Sequence, residues 1–176
     1  MQAPGRKFNL IEAIIVIAAL ACGFALARMG LSASFPLARV PSQIRLSFMV
    51  QYILTVVCSC LSTLTFAQLV LMLRSTRART QEILQQPGTA ACAVAAVIIF
   101  SSVAASVVNA GLPVTIIPRS FALLSIPVGM GVGTVWLMMW TNGHWKGDPS
   151  WIDRMGRVLG YCWLLMPEFY LGALMI

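Results

Sequence analysis

Five long apolar stretches, separated by short connections that carry arginine, constrain this chain more than any other feature. No charged residue lies between Arg45 and Arg74, and only one glutamate lies between Lys7 and Arg28. A helix of about 20 apolar residues crosses the roughly 30 Å hydrocarbon core of a lipid bilayer. The sequence therefore predicts an all-α, polytopic transmembrane helical bundle of about five spans.

The composition agrees with a single domain that is immersed in lipid. Charged residues make up 10% of the chain, whereas soluble domains carry about 25%. No connection is long enough to form a separate soluble domain. We therefore expect one membrane domain over residues 1–176, with spans at about 8–27, 46–73, 89–110, 119–141 and 151–176.

The basic residues predict the orientation, because lysine and arginine are enriched in cytoplasmic loops. With the N-terminus inside, eight basic residues fall in cytoplasmic segments and four in outer ones. This favours an N-in and C-out orientation. We attribute the net charge of +7 to topology and lipid headgroups, not to nucleic acid. Arg74, Arg77 and Arg79 form a cluster that would bind anionic headgroups at about 1 kcal/mol per residue.

Polar and small side chains form stripes along three of the predicted helices. The stripes contain Gln51 and Ser62 on the second helix, Asn109 on the third, and Gly129 and Gly133 on the fourth. In lipid such stripes favour helix packing, since small residues let backbones approach and hydroxyls bond across the contact at about 0.6–2 kcal/mol. The alternative is a polar path for solute or protons.

Glu168 is the main functional candidate among the carboxylates in the predicted spans. Such a group is by default a proton carrier, an ion ligand or a partner for a cation. It follows Pro167, which should bend the last helix, and lies about 16 Å along that helix from Arg157. The alternatives are an ion pair with Arg119, at the start of the neighbouring helix, or a position at the outer interface.

The start of the last helix carries a capping signal and is surrounded by tryptophan. Ser150 and Asp153 fit a capping box, with the Asp153 carboxylate in the positively polarised first turn. Four tryptophans near the fourth connection predict an interfacial aromatic belt, and they are Trp136, Trp140, Trp145 and Trp151. The alternative for Trp136 and Trp140 is a flat face that stacks on a pigment or quinone.

The sequence offers no constellation typical of catalysis. His144 is the single histidine, and no cysteine or carboxylate cluster at ligand spacing accompanies it. The G-x-S-x-G and H-E-x-x-H motifs are absent. We therefore expect no catalytic residue, no metal, no cofactor and no enzymatic activity. The five cysteines are expected to be buried free thiols.

Two motifs, one near each end of the chain, carry a resemblance. The chain opens with Phe8-Asn9-Leu10-Ile11-Glu12 and has S-W-I-D-R-M-G-R from Ser150 to Arg157. In these motifs it resembles short uncharacterised bacterial inner-membrane proteins that open with F-x-L-I-[DE] and carry S-W-I-D-R-x-G-R before a last apolar helix. The resemblance implies an inner-membrane location and no particular activity.

Two functional hypotheses follow from these patterns. The first is a structural or accessory membrane subunit that acts through contacts with lipids, with other membrane proteins or with itself. The second is a small transporter or channel for a solute, an ion or protons. It would use Glu168 and the polar stripe of the second and third helices.

Overall fold

The computed structural model describes residues 9–32, 45–75, 86–110, 117–143, 145 and 151–174. Within these ranges the chain forms five α-helices and no strand. The helices are α1 (Leu10–Ser32), α2 (Arg45–Ser75), α3 (Pro87–Ala110), α4 (Ile117–Thr141) and α5 (Trp151–Leu174). The predicted all-α helical bundle is confirmed.

Four of the described helices are long and apolar enough to cross a membrane. Their apolar stretches are Leu10–Met29, Met49–Leu73, Pro87–Ala105 and Leu123–Thr141. The chain is thus a multi-pass membrane protein. The remaining helix, α5, is not among the four, because Asp153, Arg154, Arg157 and Glu168 lower its mean hydropathy. Its 24 residues nevertheless extend over about 36 Å.

Contacts between α2, α4 and α5 show how these helices run. On α2, Cys58 contacts Met166 and Thr65 contacts Trp163, so the numbering rises on one helix as it falls on the other. The same holds between α4 and α5, where Gly129 lies against Pro167 and Trp136 lies against Gly160. Both α2 and α4 are therefore antiparallel to α5.

The core lies between α2, α3, α4 and α5. It combines small residues with two tryptophans, and its buried members are Cys58, Leu61, Ala91, Cys92, Ala95, Ile99, Val128, Val132, Trp136, Leu159 and Trp163. Alanine and cysteine on α3 let neighbouring backbones approach, and the two indole rings fill the remaining space. This core places α5 against three other helices, although α5 carries more charged residues than any other helix.

Helix α1 lies at the edge of the bundle. Only 17% of its apolar stretch is buried, against 50% for the stretch on α2. It contacts α2 through Gly23, where a Cβ atom would fall 2.7 Å from Thr63 Oγ1 and 2.8 Å from Cys60 Cα. Its outer face exposes large apolar side chains, among them Ile17 and Phe24. Lipid or another protein must cover that face.

Helix α4 ends at Thr141, where the predicted span 119–141 ends, and a turn at Asn142-Gly143 follows. The Asn142 amide donates to the Met138 carbonyl oxygen at 3.1 Å, and the Gly143 amide donates to the Trp140 carbonyl oxygen at 3.2 Å. Gly143 has φ +66°, the left-handed conformation that commonly ends a helix.

Candidate functional site

The polar stripe of α2 is satisfied largely within its own helix. The hydroxyls of Thr55, Ser59, Ser62 and Thr65 are buried, and each donates to the carbonyl oxygen four residues earlier at 2.8 Å. Such a bond gives a hydroxyl donor a partner without water. The stripe therefore presents small, satisfied side chains to the neighbouring helices.

Two longer polar side chains tie α2 to α5. The Trp163 indole nitrogen donates to Thr65 Oγ1 at 3.0 Å. The Gln68 side-chain amide donates to the Ile152 backbone carbonyl oxygen. Both Trp163 and Gln68 are only 1% exposed, so each needs a partner inside the bundle. These bonds fix the position of α5 along α2.

Asp153 joins the first turns of α3 and α5. Its carboxylate is fully buried, and Oδ1 accepts a hydrogen bond from the Gly88 amide at 2.9 Å. Its Oδ2 lies 3.2 Å from Arg157 Nε. The Gly88 amide belongs to the first turn of α3, where backbone N–H groups lack intrahelical acceptors. Asp153 therefore caps α3 from a neighbouring helix as well as lying in the first turn of its own.

Two glycines allow this close approach of α3 and α5. A Cβ atom at Gly156 would lie 2.7 Å from the Gly88 carbonyl oxygen and 2.9 Å from Gly88 Cα. A Cβ atom at Gly88 would overlap the backbone oxygen of Asp153. The two backbones thus meet without side chains between them, which brings the Asp153 carboxylate within reach of the α3 amide.

Trp136 belongs to the interior and not to an aromatic belt. It is 7% exposed, and its indole nitrogen donates to the Pro87 carbonyl oxygen at 2.9 Å. Its ring packs over Gly160 and meets Tyr161 edge-on, with the centroids 4.8 Å apart. The belt interpretation fits Trp140 instead, which is 71% exposed.

A lateral groove opens between α4 and α5 beside these tryptophans. Its volume is about 520 Å³, and it is lined by Gly133, Trp136, Leu137, Trp140, Trp145 and Leu164. The lining is mainly apolar, and the groove is open to the surroundings of the bundle. Within the lining, the Trp145 ring centroid lies 5.7 Å from that of Trp136. The groove has the size of a ligand site and faces the lipid.

The sequence candidates for a transport path do not meet in the interior. Ser62 is buried, with 2% of its surface exposed. Gln51 and Glu168 are both exposed on the outside of the bundle. Gln51 lies near the start of α2 and Glu168 near the end of α5, where the two antiparallel helices share one end of the bundle. The described atoms of these residues therefore do not line one internal path.

The two glycines predicted to serve helix packing lie against α5. A Cβ atom at Gly129 would fall 2.7 Å from the Trp163 carbonyl oxygen and 2.9 Å from Pro167 Cγ. A Cβ atom at Gly133 would fall 3.1 Å from Leu164 Cδ2. At Gly129 the obstacle is backbone, so only glycine fits there. At Gly133 the obstacle is the end of the flexible Leu164 side chain, which can move aside.

Several predicted site residues lie outside the description. Arg77 and Arg79 fall between the described ranges, as do His144 and Ser150. The backbones of Arg74, Asn109 and Arg119 belong to α2, α3 and α4, but their side chains are not described. The headgroup cluster at Arg74, Arg77 and Arg79 and the Arg119–Glu168 ion pair therefore stay predictions.

The patterns in the sequence did not single out Gln68 or Gly88. A signal for Gln68 was present, because an amide in an otherwise apolar span indicates an interhelical hydrogen bond. Gly88 follows Pro87 and is typical of a helix start, which hides its role in packing. Neither residue type identifies its partner, since Ile152 and Asp153 lie far away in the chain.

Metal-binding chemistry finds no support in the described ranges. They contain no group of three or more His, Cys, Asp or Glu side chains that could hold a metal ion. The five cysteines are free thiols, but the expectation that all of them are buried is wrong, because Cys22 is exposed on α1. Cys58 and Cys92 are buried among apolar side chains and contribute to packing as small side chains.

No family model, no curated protein and no solved structure matches the chain. The resemblance carried by residues 8–12 and 150–157 consequently stays a prediction. The function proposed below is argued from the positions of the polar groups of the bundle and from their surroundings.

Proposed function

We propose that this protein is a structural or accessory subunit of the inner membrane, which acts through helix–helix and lipid contacts. One observation carries the proposal: the Glu168 carboxylate lies on the exposed side of α5 and not inside the bundle. A carboxylate on a lipid-facing surface requires contact with the polar interface or a partner, which is either Arg119 of the same chain or a group on another protein.

The depth of Glu168 makes that requirement strong. Its neighbour Pro167 contacts Gly129, which lies six residues, or about 9 Å, inside the apolar stretch Leu123–Thr141 of α4. Placing an ionised carboxylate inside a bilayer costs up to about 2.5–3.5 kcal/mol on insertion scales, with the full value at the centre. A cation or a hydrogen-bond donor on a partner helix would remove much of that penalty.

The surroundings of Glu168 suit a partner helix. Tyr161, Leu165 and Phe169 are exposed on the same side of α5, at spacings of three, four or eight residues along one helical face. We name this surface the α5 outer face; it consists of Tyr161, Leu165, Glu168 and Phe169. A second membrane protein or a second copy of the chain would pack against it, with the carboxylate giving specificity.

The transport hypothesis receives less support from the same geometry. A proton or solute path through α2 and α3 would need Glu168 to face the polar stripe. The stripe hydroxyls already donate to their own helix, and the Glu168 side chain is exposed. We likewise propose no enzymatic role, since the interior polar groups are engaged in contacts between helices.

The proposed orientation is N-in and C-out. It is supported by the excess of basic residues in the segments that would be cytoplasmic. The first turns of α1, α3 and α5, with Glu12 and Asp153, would then lie at the cytoplasmic face. The inner-membrane location is supported by the resemblance to small bacterial inner-membrane proteins.

The substitution Glu168→Gln distinguishes the two hypotheses. The first measurement is proton flux into vesicles that contain the purified protein and a pH-sensitive dye. The second is migration of the protein, extracted in mild detergent, on native gels. We expect flux equal to that of protein-free vesicles for both forms, and loss of the slower-migrating assembly for Glu168→Gln alone.

Glu168→Asp is the matched control, because it keeps the charge and should keep the assembly. If the wild-type protein conducts protons and Glu168→Gln abolishes that flux, the transporter hypothesis is correct and the accessory role is wrong. If the assembly is the same in all three forms, the role given to Glu168 is wrong.

A further inference from the structure

We infer that the groove between α4 and α5 binds an acyl chain of an anionic phospholipid from the surrounding bilayer, with the lipid phosphate at Arg154 and Arg157. The inference requires only that the bundle lies in a membrane. It does not depend on the accessory role or on Glu168.

The groove is an open depression with the mainly apolar lining that suits a hydrocarbon chain. Its volume of about 520 Å³ lies in the range of small-molecule sites, about 300–1,000 Å³. Gly133 contributes no side chain to it, and the exposed side chains of Leu137 and Trp140 form one wall. The opposite wall is Leu164 of α5. A chain can enter sideways from the bilayer because the groove is open on that side.

The register of the two helices places the arginines at one end of the groove. Trp136 lies against Gly160, and Gly133 lies against Leu164. Each helical turn advances about 5.4 Å. One turn beyond Trp136 on α4 lies Trp140. One turn before Gly160 on α5, at the same level of the bundle, lies Arg157. Arg157 is therefore level with an exposed tryptophan, the residue type that marks the headgroup level of a membrane.

A continuous helical face connects the charge with the groove. Arg157, Tyr161 and Leu164 follow one another at spacings of four and three residues, so they share one side of α5. Tyr161 packs against Trp136, and Leu164 lines the groove. Arg154 precedes Tyr161 by seven residues on the same side, and it is exposed. A lipid with its tail beside Leu164 would thus have its headgroup beside both arginines.

The charges at this end favour an anionic headgroup. Arg157 Nε lies 3.2 Å from the Asp153 carboxylate, which holds the side chain in place, while the side chain keeps 30% of its surface exposed. A guanidinium carries five N–H donors, so contact through Nε leaves the terminal donors for a phosphate. Among the described residues at this end, two arginines accompany one carboxylate, and the excess positive charge complements an anionic lipid.

Native mass spectrometry of the full chain in mild detergent tests the site. Phosphatidylglycerol and phosphatidylcholine with identical acyl chains are added separately at equal concentration. We expect one phosphatidylglycerol molecule to be retained where phosphatidylcholine is lost. Arg154→Gln should weaken phosphatidylglycerol retention about fivefold, the effect of one basic residue near an anionic headgroup, because Arg154 is exposed and its replacement leaves the packing intact.

Two further variants separate the headgroup from the chain. Arg28→Gln removes an exposed arginine from α1, away from the groove, and should leave retention unchanged. Gly133→Leu fills the groove and should lower the retention of phosphatidylglycerol. The obstacle at Gly133 is the mobile end of Leu164, so the bundle should tolerate the larger side chain.

Quenching of tryptophan fluorescence gives an independent measurement in vesicles. Phosphatidylglycerol with brominated chains should quench more strongly than brominated phosphatidylcholine at the same mole fraction, and Arg154→Gln should remove the difference. Equal retention and equal quenching by the two lipids would overturn the assignment to an anionic headgroup. Unchanged retention in Gly133→Leu would overturn the assignment to this groove.

Discussion

Asp153 is a carboxylate without exposed surface, so its ionised form depends entirely on its neighbours. It accepts a hydrogen bond from the Gly88 amide and pairs with Arg157. The first turns of two helices, α3 and α5, also direct their positive dipole ends towards it. These contacts replace the hydration that the carboxylate would have in water.

Removing the carboxylate should therefore destabilise the bundle strongly. We expect Asp153→Ala to lower the free energy of unfolding by about 3–5 kcal/mol, the usual effect of breaking a buried ion pair. Asp153→Asn should cost less, because its amide oxygen still accepts from Gly88. Unfolding by sodium dodecyl sulfate in mixed micelles, followed by circular dichroism, measures both.

Arg154→Ala is the control for Asp153, since it removes an exposed charge one residue away and should change stability by about 0.5 kcal/mol or less. If Asp153→Ala were no more destabilising than Arg154→Ala, the stabilising role of the carboxylate would be refuted.

Single residues also show what the sequence can and cannot predict. The capping signal predicted Asp153 in the first turn of the last helix, and this is confirmed. Its contact with Gly88, 65 residues earlier in the chain, could not be predicted, because helical spacing identifies the face of a residue and not the helix that packs on it. The hydrogen bond between Gln68 and Ile152 could not be predicted for the same reason.

At the level of helices, the contact of α3 with α5 depends on a pair of glycines. Gly156→Ala would place a methyl group 2.7 Å from the Gly88 carbonyl oxygen, and backbone atoms cannot move aside as a side chain does. We expect a loss of about 1–3 kcal/mol in the free energy of unfolding, which is typical of overpacking. The same detergent titration measures it.

Gly172→Ala is the matched control, because it lies on the same helix with no atom within 4 Å of the added Cβ. The substitution should be neutral or stabilising by up to about 1 kcal/mol, since alanine favours a helix. Equal effects of the two substitutions would show that α3 and α5 do not meet at Gly156.

The helices themselves were more predictable than their arrangement. Long apolar stretches predicted five helices, and these are observed in the described ranges. The central position of α5 was not apparent, since packing depends on shape and α5 carries more charged residues than any other helix. The sequence also predicts Trp136 in an interfacial belt, because it does not show that the ring packs inside the bundle over Gly160.

The whole molecule has the distribution of polarity expected in lipid. Large apolar side chains are exposed on several helices, including Val97, Phe100 and Met130, each with more than two thirds of its surface exposed. Buried positions include polar residues that bond within the bundle, such as Ser62 and Gln68. A soluble domain would not present such large apolar patches to water, so this surface requires lipid or protein around it.

Labelling of Cys22 tests the membrane placement most directly. Cys22 is exposed on α1, near the middle of the apolar stretch Leu10–Met29, so only lipid shields it. The experiment uses a charged maleimide on membrane fragments that are open at both faces, with Asn142→Cys in the exposed turn after α4 as the accessible control. We predict rapid labelling at position 142 and none at Cys22, whereas Cys22 labelled as fast as position 142 would contradict the account.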